Sequence, residues 1–349
     1  NCDTETLAEA ISIWGIEKTL RKINGMFGFA AWDRQEKILY IARDRIGEKP
    51  LYYGWQGEGS NASFLFGSEL KALRAHPMFQ SEINRGFAGG CNLGAGHARG
   101  EYLLILNNDT THEPHWIAPL VKMMESNPKI SAIQPKILNY NNRDYFDYAG
   151  ACGGFMDKYC FPFARGRIFN TVEKDDGQYD NPCKIFWASG TAFLTRKSTF
   201  DTLGGFDETL FAHMEEIDYH WKSKMLGYKI FANPKSTIYH KGGGTLSYNS
   251  TKKTYLNHRN SLIIFFANHK INKLLLLSVP RLLLHFTSIL FDLLSFRPSH
   301  SIAQLKSLFW ITLNIPYIIK KRSFNKRIQK NSYKLIGMHK TSIVLNYFL

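Results

Sequence analysis

The spacing of apolar and polar residues changes character twice along the chain. In the first stretch, Thr6–Arg21 reads as a helix, followed by short strands with turn signals between them. Phe27–Trp32 and Lys37–Ala42 are expected to pair as a hairpin around Asp33-Arg34-Gln35-Glu36, with further strands at Leu51–Trp55 and Phe64–Gly67. From Arg85 a glycine-rich segment opens a helix–strand alternation of the kind found in α/β domains. There Tyr102–Leu106 has the make-up of a buried strand. Met214, Ile217, Trp221 and Met225 recur at helical spacing, and Lys229–Ala232 reads as a strand closed by a proline turn. In the third stretch, Leu274–Phe296 is apolar except at Ser278, Arg281, His285, Ser288, Asp292 and Ser295. Those intervals alternate three and four, which puts the polar groups in one narrow stripe of a helix. A second apolar stretch, Ile302–Ile319, runs into Lys320-Lys321-Arg322 and Lys326-Arg327.

Charge separates the last stretch from the rest. The net charge is +15, yet residues 231–349 hold 18 Lys and Arg against a single acid, Asp292, so the preceding body is slightly acidic. A basic tail on an acidic body points to a polyanionic surface. Three ionisable groups inside Leu274–Phe296 argue against an independent membrane span, while apolar helices next to a basic cluster suit a helix lying on an anionic leaflet. The other readings are an ordinary helical extension packed on the catalytic domain and a nucleic-acid contact. Of the three, the anionic membrane surface is expected and nucleic acid is not.

At 349 residues, 44% of them hydrophobic and 14% aromatic, the chain can bury a sizeable core in two domains or in one with an appendage. Five cysteines (Cys2, Cys91, Cys152, Cys160, Cys183), with no CxxC pair, read as free thiols in a reducing compartment. The first residue is not Met and no signal peptide precedes the first acids, so part of the start is expected to be missing. No polar linker marks the change of texture near residue 84, although domain boundaries normally fall in flexible segments.

Three ordered motifs lie before that seam: Ile23-Asn-Gly-Met-Phe-Gly-Phe-Ala-Ala-Trp-Asp33, Ala42-Arg-Asp-Arg-Ile-Gly-Glu-Lys-Pro-Leu-Tyr-Tyr-Gly54 and Phe66-Gly-Ser-Glu-Leu-Lys-Ala-Leu73. Together they resemble the glutamine amidotransferase domain of asparagine synthetases. The resemblance implies an α+β N-terminal-nucleophile fold over residues 1–84 and places Asp3 on that family's glutamine-binding aspartate. The family's nucleophile is a cysteine at the mature N-terminus. Cys2 sits just before Asp3-Thr4-Glu5, a segment that lies well inside the family domain, and lacks the Gly-Ile that should follow a nucleophile. Residues 1–84 are therefore expected to be a remnant with a vestigial glutamine site and no amidotransferase activity.

Beyond the seam, four ordered motifs resemble family 2 glycosyltransferases of the rhamnosyltransferase-like, GT-A branch. Gly86-Phe-Ala-Gly-Gly-Cys-Asn92-Leu-Gly94 is a glycine-rich turn before a helix, a setting that suits phosphate groups; the resemblance puts Gly89, Asn92 and Gly94 beside the donor nucleotide. Glu101-Tyr-Leu-Leu-Ile-Leu-Asn107-Asn108-Asp109 ends a strand in a carboxylate, where open α/β sheets bind ligands. Nucleotide-sugar transfer needs a divalent cation across the diphosphate. The resemblance makes Asp109 its ligand, with Asn107 and Asn108 on the donor. Trp187, Ser189 and Gly190 of Trp187-Ala-Ser-Gly190 are expected on the acceptor side. Glu215, Glu216 and Asp218 cluster at a helix start, and an inverting reaction needs one carboxylate to take the acceptor proton. The family pattern makes Glu216 that base. His240, after a strand, is expected near the metal or diphosphate.

The fold expected from these readings is α/β: a GT-A-like, Rossmann-like domain over residues 85–260, truncated at its start. An amidotransferase fragment (1–84) precedes it and basic amphipathic helices (261–349) follow. The first strands of the GT-A domain, which hold the donor's base and ribose, find no counterpart before Asn84. The join at Asn84-Arg85 suits both families and points to a recombined or misassembled gene, or to a real fusion. Sequencing across codons 80–90 separates these. The leading expectation is an inverting transferase using a UDP- or dTDP-sugar and Mg²⁺ or Mn²⁺, acting on a glycan or lipid-linked acceptor. It would be cytoplasmic, peripheral on the inner face of the cell membrane, and weak or inactive for want of the donor-base pocket. A catalytically dead chimera and a basic membrane- or nucleic-acid-binding module are the other two readings.

Overall fold

The computed structural model describes residues 3–25, 27–44, 51–56, 62–67, 85–242, 250–330 and 332–348, in two compact units, 1–84 and 85–349. Cys2 and Asn84 lie outside the described residues. In the first unit the expected single helix is two: α1 (Asp3–Trp14) and α2 (Ile16–Lys22). The break falls at Gly15, whose φ of 75° the other residues of these helices do not adopt cheaply. The hairpin forms as expected. β1 (Gly28–Asp33) pairs antiparallel with β2 (Ile38–Arg43), and the Asp33 carboxylate accepts the Gln35 and Glu36 backbone N–H groups in the turn. β3 (Tyr52–Gln56) and β4 (Ser63–Gly67) make a second, separate two-stranded ladder. Among the described residues of this unit no hydrophobic side chain is buried, and Asp3 lies exposed on α1. Two-stranded ladders are marginal alone.

The second unit is built on a mixed sheet. After α3 (Gly86–His97) come β5 (Tyr102–Leu106), β6 (Thr110–His112), α4 (Ala118–Ser126) and β7 (Ile130–Asn139). A side sheet follows, from β8 (Gly154–Asp157), β9 (Pro162–Ala164), β10 (Arg167–Ile168) and β11 (Thr171–Val172). The chain then re-enters the main sheet with β12 (Cys183–Ile185) and β13 (Ala192–Arg196), and continues through α5 (Lys197–Thr202), α6 (Glu215–Met225) and β14 (Lys229–His240). The strand order is β12-β14-β7-β13-β5, with β6 pairing the far end of β14. β7 is buried along nearly its whole length because apolar layers cover both faces. On one side lie Leu103, Ile105, Phe193, Phe200, Phe206 and Tyr219; on the other, Leu120, Met124, Ile133, Leu194 and Ile238. Among the described residues β5 pairs only with β13, so its other edge is open.

One strand corrects the sequence reading. β14 does not stop at Ala232: it runs through Pro234 to His240, with its pairing to β7 shifted between Asn233 and Thr237. Proline cannot donate to a ladder, so the irregularity absorbs it and the strand resumes. That continuation delivers His240 to the site.

Four helices follow: α7 (Thr251–Asn268), α8 (Ile271–Leu294), α9 (Pro298–Leu313) and α10 (Ile315–Ile328). The apolar stretch read as one run to Ile319 is bent by 70° between α9 and α10, where Asn314 and Pro316 interrupt it. α8 is long and apolar enough to cross a membrane, with a mean hydropathy of 1.8 over its best 18 residues. Its polar stripe faces inward: Arg281, His285 and Asp292 are buried, whereas Leu276 is 74% exposed and Leu283 60%. α8 is thus inside out compared with a helix on a water-soluble core. α10 closes on α6 through a buried ion network in which Lys321 contacts both Asp207 and Asp218.

Candidate active site

β5 ends at Leu106, and the next backbone N–H, that of Asn107, donates to Thr191 O at 2.9 Å. The Thr110 hydroxyl donates to Asn107 O, turning the chain so that Asp109 stands at the carboxyl end of the strand. Because β6 pairs with β14, His240 sits opposite Thr110 and beside Asp109. His240 Nε2 lies 3.2 Å from Asp109 Oδ1, and Nδ1 lies 2.8 Å from Oδ1 of the buried Asp147. Burial opposes charge on this imidazole, but the two carboxylates outweigh it and lift His240 to about 9. The contact with His240 in turn holds Asp109 below the usual carboxylate range. Asp109 Oδ1 is buried and receives no well-aligned hydrogen bond, although His240 is near.

The second cluster is the start of α6. The chain reaches it through Phe211, His213 and Met214, all at φ between 63° and 70°, a conformation non-glycine residues adopt only when their surroundings enforce it. Here Asn260 Nδ2 donates to Leu210 O, Ala212 O and His213 O, and Arg259 donates to Thr209 O. Ala88 N–H, at the start of α3, donates to Phe211 O. Glu215 and Glu216 emerge from this loop side by side at the start of α6, and the Oε2 atom of each is buried without a partner. Burial raises Glu215 well above the usual range, with the neighbouring Glu216 adding to the effect; burial raises Glu216 to about 7. Two adjacent carboxyls held this way share one proton, with Glu216 the easier to ionise. Replacing Asn260 with Ala removes the donor from Ala212 O and His213 O of the strained loop, while Leu210 O keeps Arg259 Nη2 and the Ala212 N–H. It is expected to cost about 1–3 kcal/mol, read by denaturant unfolding, and to lower the rate of any reaction that uses Glu216.

Both clusters open on one cavity of about 1180 Å³, whose wall includes Asn107, Asn108, Asp109, His240, Glu215 and Glu216. Trp187, Ser189 and Gly190 also line it. Ser189 is held by structural bonds: its hydroxyl donates to Ala149 O and its N–H donates to Gln134 Oε1. Trp187 Nε1 donates to Phe155 O, so its polar end is satisfied within the protein.

Other expected site residues fall elsewhere. Asp218 is fully buried, facing Lys222, Lys321 and Asn268, and does not reach the cavity. Burial alone would raise its pKa, but the two lysines pull it well below the usual range, so it is a structural anion. The glycine-rich segment is not a ligand-binding turn but the body of α3. Gly89 is buried, and a Cβ there would meet the Arg85 side chain at 2.2 Å. Asn92 spans to Phe206, donating to its carbonyl and accepting its N–H. Gly94 lies on open surface. What the segment does require is Gly86: its φ is 70°, and a Cβ there would lie 2.2 Å from Phe211 O. Gly86 therefore serves close packing against the loop that launches α6. The sequence reading missed Asp147, His213, Lys253, His258 and Arg281, all but Asp147 in the cavity wall.

Known families match these two units in turn. Residues 1–88 match the glutamine amidotransferase domain, and residues 77–204 match glycosyl transferase family 2. Likenesses to two families meet in one chain. The overlap of the matches, 77–88, brackets the seam at Asn84-Arg85. The amidotransferase-like part is 43% identical over 83 residues to an asparagine synthetase (glutamine-hydrolysing) of Bacillus subtilis, covering 24% of this chain and 13% of that protein. The glycosyltransferase-like part is 22% identical over 172 residues to an N-acetylglucosaminyl-diphospho-decaprenol L-rhamnosyltransferase of Mycobacterium tuberculosis, covering 48% of this chain and 56% of the relative. A solved structure of GalNAc-T7 with UDP, GalNAc and Mn²⁺ aligns over 54% of this chain and 36% of its own at 19% identity, with a TM-score of 0.41. The chain thus spans a small part of the synthetase and about half of the rhamnosyltransferase.

Proposed function

We propose that residues 85–349 transfer a glycosyl group, with inversion, from a nucleotide-diphosphate sugar to a glycan or lipid-linked acceptor. The observation that carries this reading is the convergence of Asp109 and His240, the latter backed by Asp147, with Glu215 and Glu216 on one cavity, in a unit whose first part matches family 2 glycosyltransferases. A Mg²⁺ or Mn²⁺ ion fits the first cluster at Asp109, whose Oδ1 is a hard, buried oxygen without an aligned hydrogen bond. His240, with its far nitrogen fixed by Asp147, would join the ion only by giving up the proton that its two carboxylates favour, and otherwise faces the diphosphate as a cation. Among the described residues no group of three acidic, His or Cys side chains could hold the ion alone. This suits an ion that takes its other ligands from substrate phosphates and water. When bound, the ion would neutralise charge on the departing diphosphate.

The chain's own residues supply the rest. Glu216, at the cavity edge, accepts the acceptor hydroxyl proton as that oxygen bonds to the anomeric carbon. The bond to the diphosphate oxygen breaks on the opposite side, and its electron pair leaves with the nucleoside diphosphate (UDP or dTDP). Glu215, protonated, holds Glu216 ionised and aimed. Among the described residues β5 pairs only with β13, and nothing described beside it holds the donor's base, so the donor KM is expected to be high and turnover slow. Because Glu216 must be ionised and its pKa stands near 7, kcat/KM is expected to fall as pH drops below about 7 and to level off above it. A rate independent of pH between 5.5 and 8 would remove Glu216 as base. Transfer from UDP- and dTDP-sugars with Mn²⁺, read by mass spectrometry with the product's anomeric configuration, tests the function itself.

The outward apolar face of α8, with Leu276 and Leu283, and the exposed Lys320, Lys326 and Arg327 of α10 support a place on the inner, anionic face of the cell membrane. Deleting the tail would also remove Lys321 from its buried ion pairs, so point changes are the sound test. Lys320, Lys326 and Arg327 changed together to Gln are expected to weaken binding to phosphatidylserine vesicles by about 1 kcal/mol per charge at low salt. Leu276→Glu with Leu283→Glu should abolish binding at any salt. Cosedimentation unchanged in both variants would place this face elsewhere.

A further inference from the structure

The most deeply buried member of the α8 polar stripe opens on the same cavity and has no part in the carboxylate chemistry. Arg281 is 0% exposed and forms part of the cavity wall. Its Nη2 donates to Ser261 Oγ at 3.0 Å, and the guanidinium packs 4.4 Å from the centre of the Phe161 ring. Nε and Nη1 have no hydrogen-bond partner. The neighbouring carboxylate, Asp157, is occupied by the backbone N–H groups of Tyr159, Phe161 and Ile343. A guanidinium is costly to bury unless it is paired, and its rigid fork of donors matches a phosphate. Lys253 of α7 and Arg167 of β10 line the same cavity and add positive potential to whatever other contacts they make.

The position of Arg281 narrows the anion. The Asp109–His240 end of the cavity is taken up, in the function proposed above, by the donor diphosphate. Arg281 belongs instead to the helix whose opposite face is the exposed apolar one, with Leu276 and Leu283 outward. An anion held by Arg281 with an apolar chain attached could lay that chain along a lipid surface beside α8. We propose that Arg281, supported by Lys253, is the receptor for the phosphate of a lipid-linked acceptor, a polyprenyl phosphate or diphosphate. This rests on the glycosyltransferase reading of the cavity and names its acceptor class.

The test uses the full chain and three probes by calorimetry: farnesyl diphosphate in detergent, inorganic phosphate, and UDP with Mn²⁺. Arg281→Met keeps the bulk of the side chain and removes its donors. It is expected to weaken farnesyl diphosphate binding by at least about tenfold, Arg281→Lys by less, with UDP binding unchanged and the melting temperature held or raised. Should Arg281→Met fail to fold, Lys253→Gln is expected to weaken farnesyl diphosphate binding by about threefold to tenfold. Farnesyl diphosphate binding that ignores all three variants would overturn the proposal. So would inorganic phosphate binding as tightly as farnesyl diphosphate, which assigns the site to a free anion, or a loss shared equally by UDP, which assigns Arg281 to the donor. Failure of UDP to bind at all, with Arg281-dependent farnesyl diphosphate binding intact, would sink the transferase reading and leave the lipid-phosphate site standing.

Discussion

Glu216→Gln is expected to lower kcat by about 10²–10⁴-fold while leaving nucleotide-diphosphate binding within twofold of wild type. The substitution keeps the shape of the side chain and its contact with Glu215, and removes only the capacity to accept a proton. Asp218, two residues further along the first turn of α6, cannot substitute: it is fully buried and occupied by Lys222 and Lys321. Glu215 is the remaining carboxyl on the cavity, but burial and its partner keep it protonated at neutral pH. A Glu216→Gln enzyme with substantial turnover, and with its acid limb moved to higher pH, would therefore transfer the role to Glu215.

Asp218→Ala should destabilise the second unit by about 3–5 kcal/mol, seen as a lowered denaturant midpoint. The change strips a carboxylate from two buried ammonium groups and from the Asn268 amide. Lys321 keeps Asp207, but Lys222 has no other carboxylate among its described ion pairs. If the loss comes from stranded charge, pairing Asp218→Ala with Lys222→Met should recover part of it, because unpaired buried charge and not the pair itself is what costs. The pH sign is the ordinary one for a depressed carboxyl: this stabilisation is present above the unfolded value near 3.9 and is lost as pH falls through the lower folded value. A wild-type-like midpoint for Asp218→Ala would mean that water already reaches these lysines.

The carboxylates and the sheet were legible because they sit on periodic elements. Tyr102–Leu106 is a short apolar run just before Asp109, and Met214, Ile217, Trp221 and Met225 recur at the helical spacing of α6, although that helix is buried on nearly every side. The same spacing could not tell Asp218 from Glu215 and Glu216, since all three fall in the first turn. Lys321, more than a hundred residues away, decides that Asp218 faces inward. The glycine-rich segment misled for a related reason. Glycine signals close approach of backbone, but whether the approaching group is a phosphate or Phe211 is a tertiary fact. Likewise the stripe on α8 was readable as a stripe. Which side faces the protein was not, because an inside-out helix has the same period as an ordinary one. Asp147 carried no local signal at all, since only the extension of β14 past Pro234 brings His240 to it.

In the proposed function the Asp109–Glu216 cavity performs metal-dependent glycosyl transfer. The full chain, Asp109→Ala and Glu216→Gln would each be incubated with UDP- or dTDP-sugars, Mn²⁺ and a diphosphate-linked glycan acceptor, and product followed by mass spectrometry. Slow transfer by the wild-type chain, abolished by chelating the metal and by either substitution, is the predicted result. No transfer by the wild-type chain under any donor, or transfer undiminished in Asp109→Ala and Glu216→Gln, would contradict it.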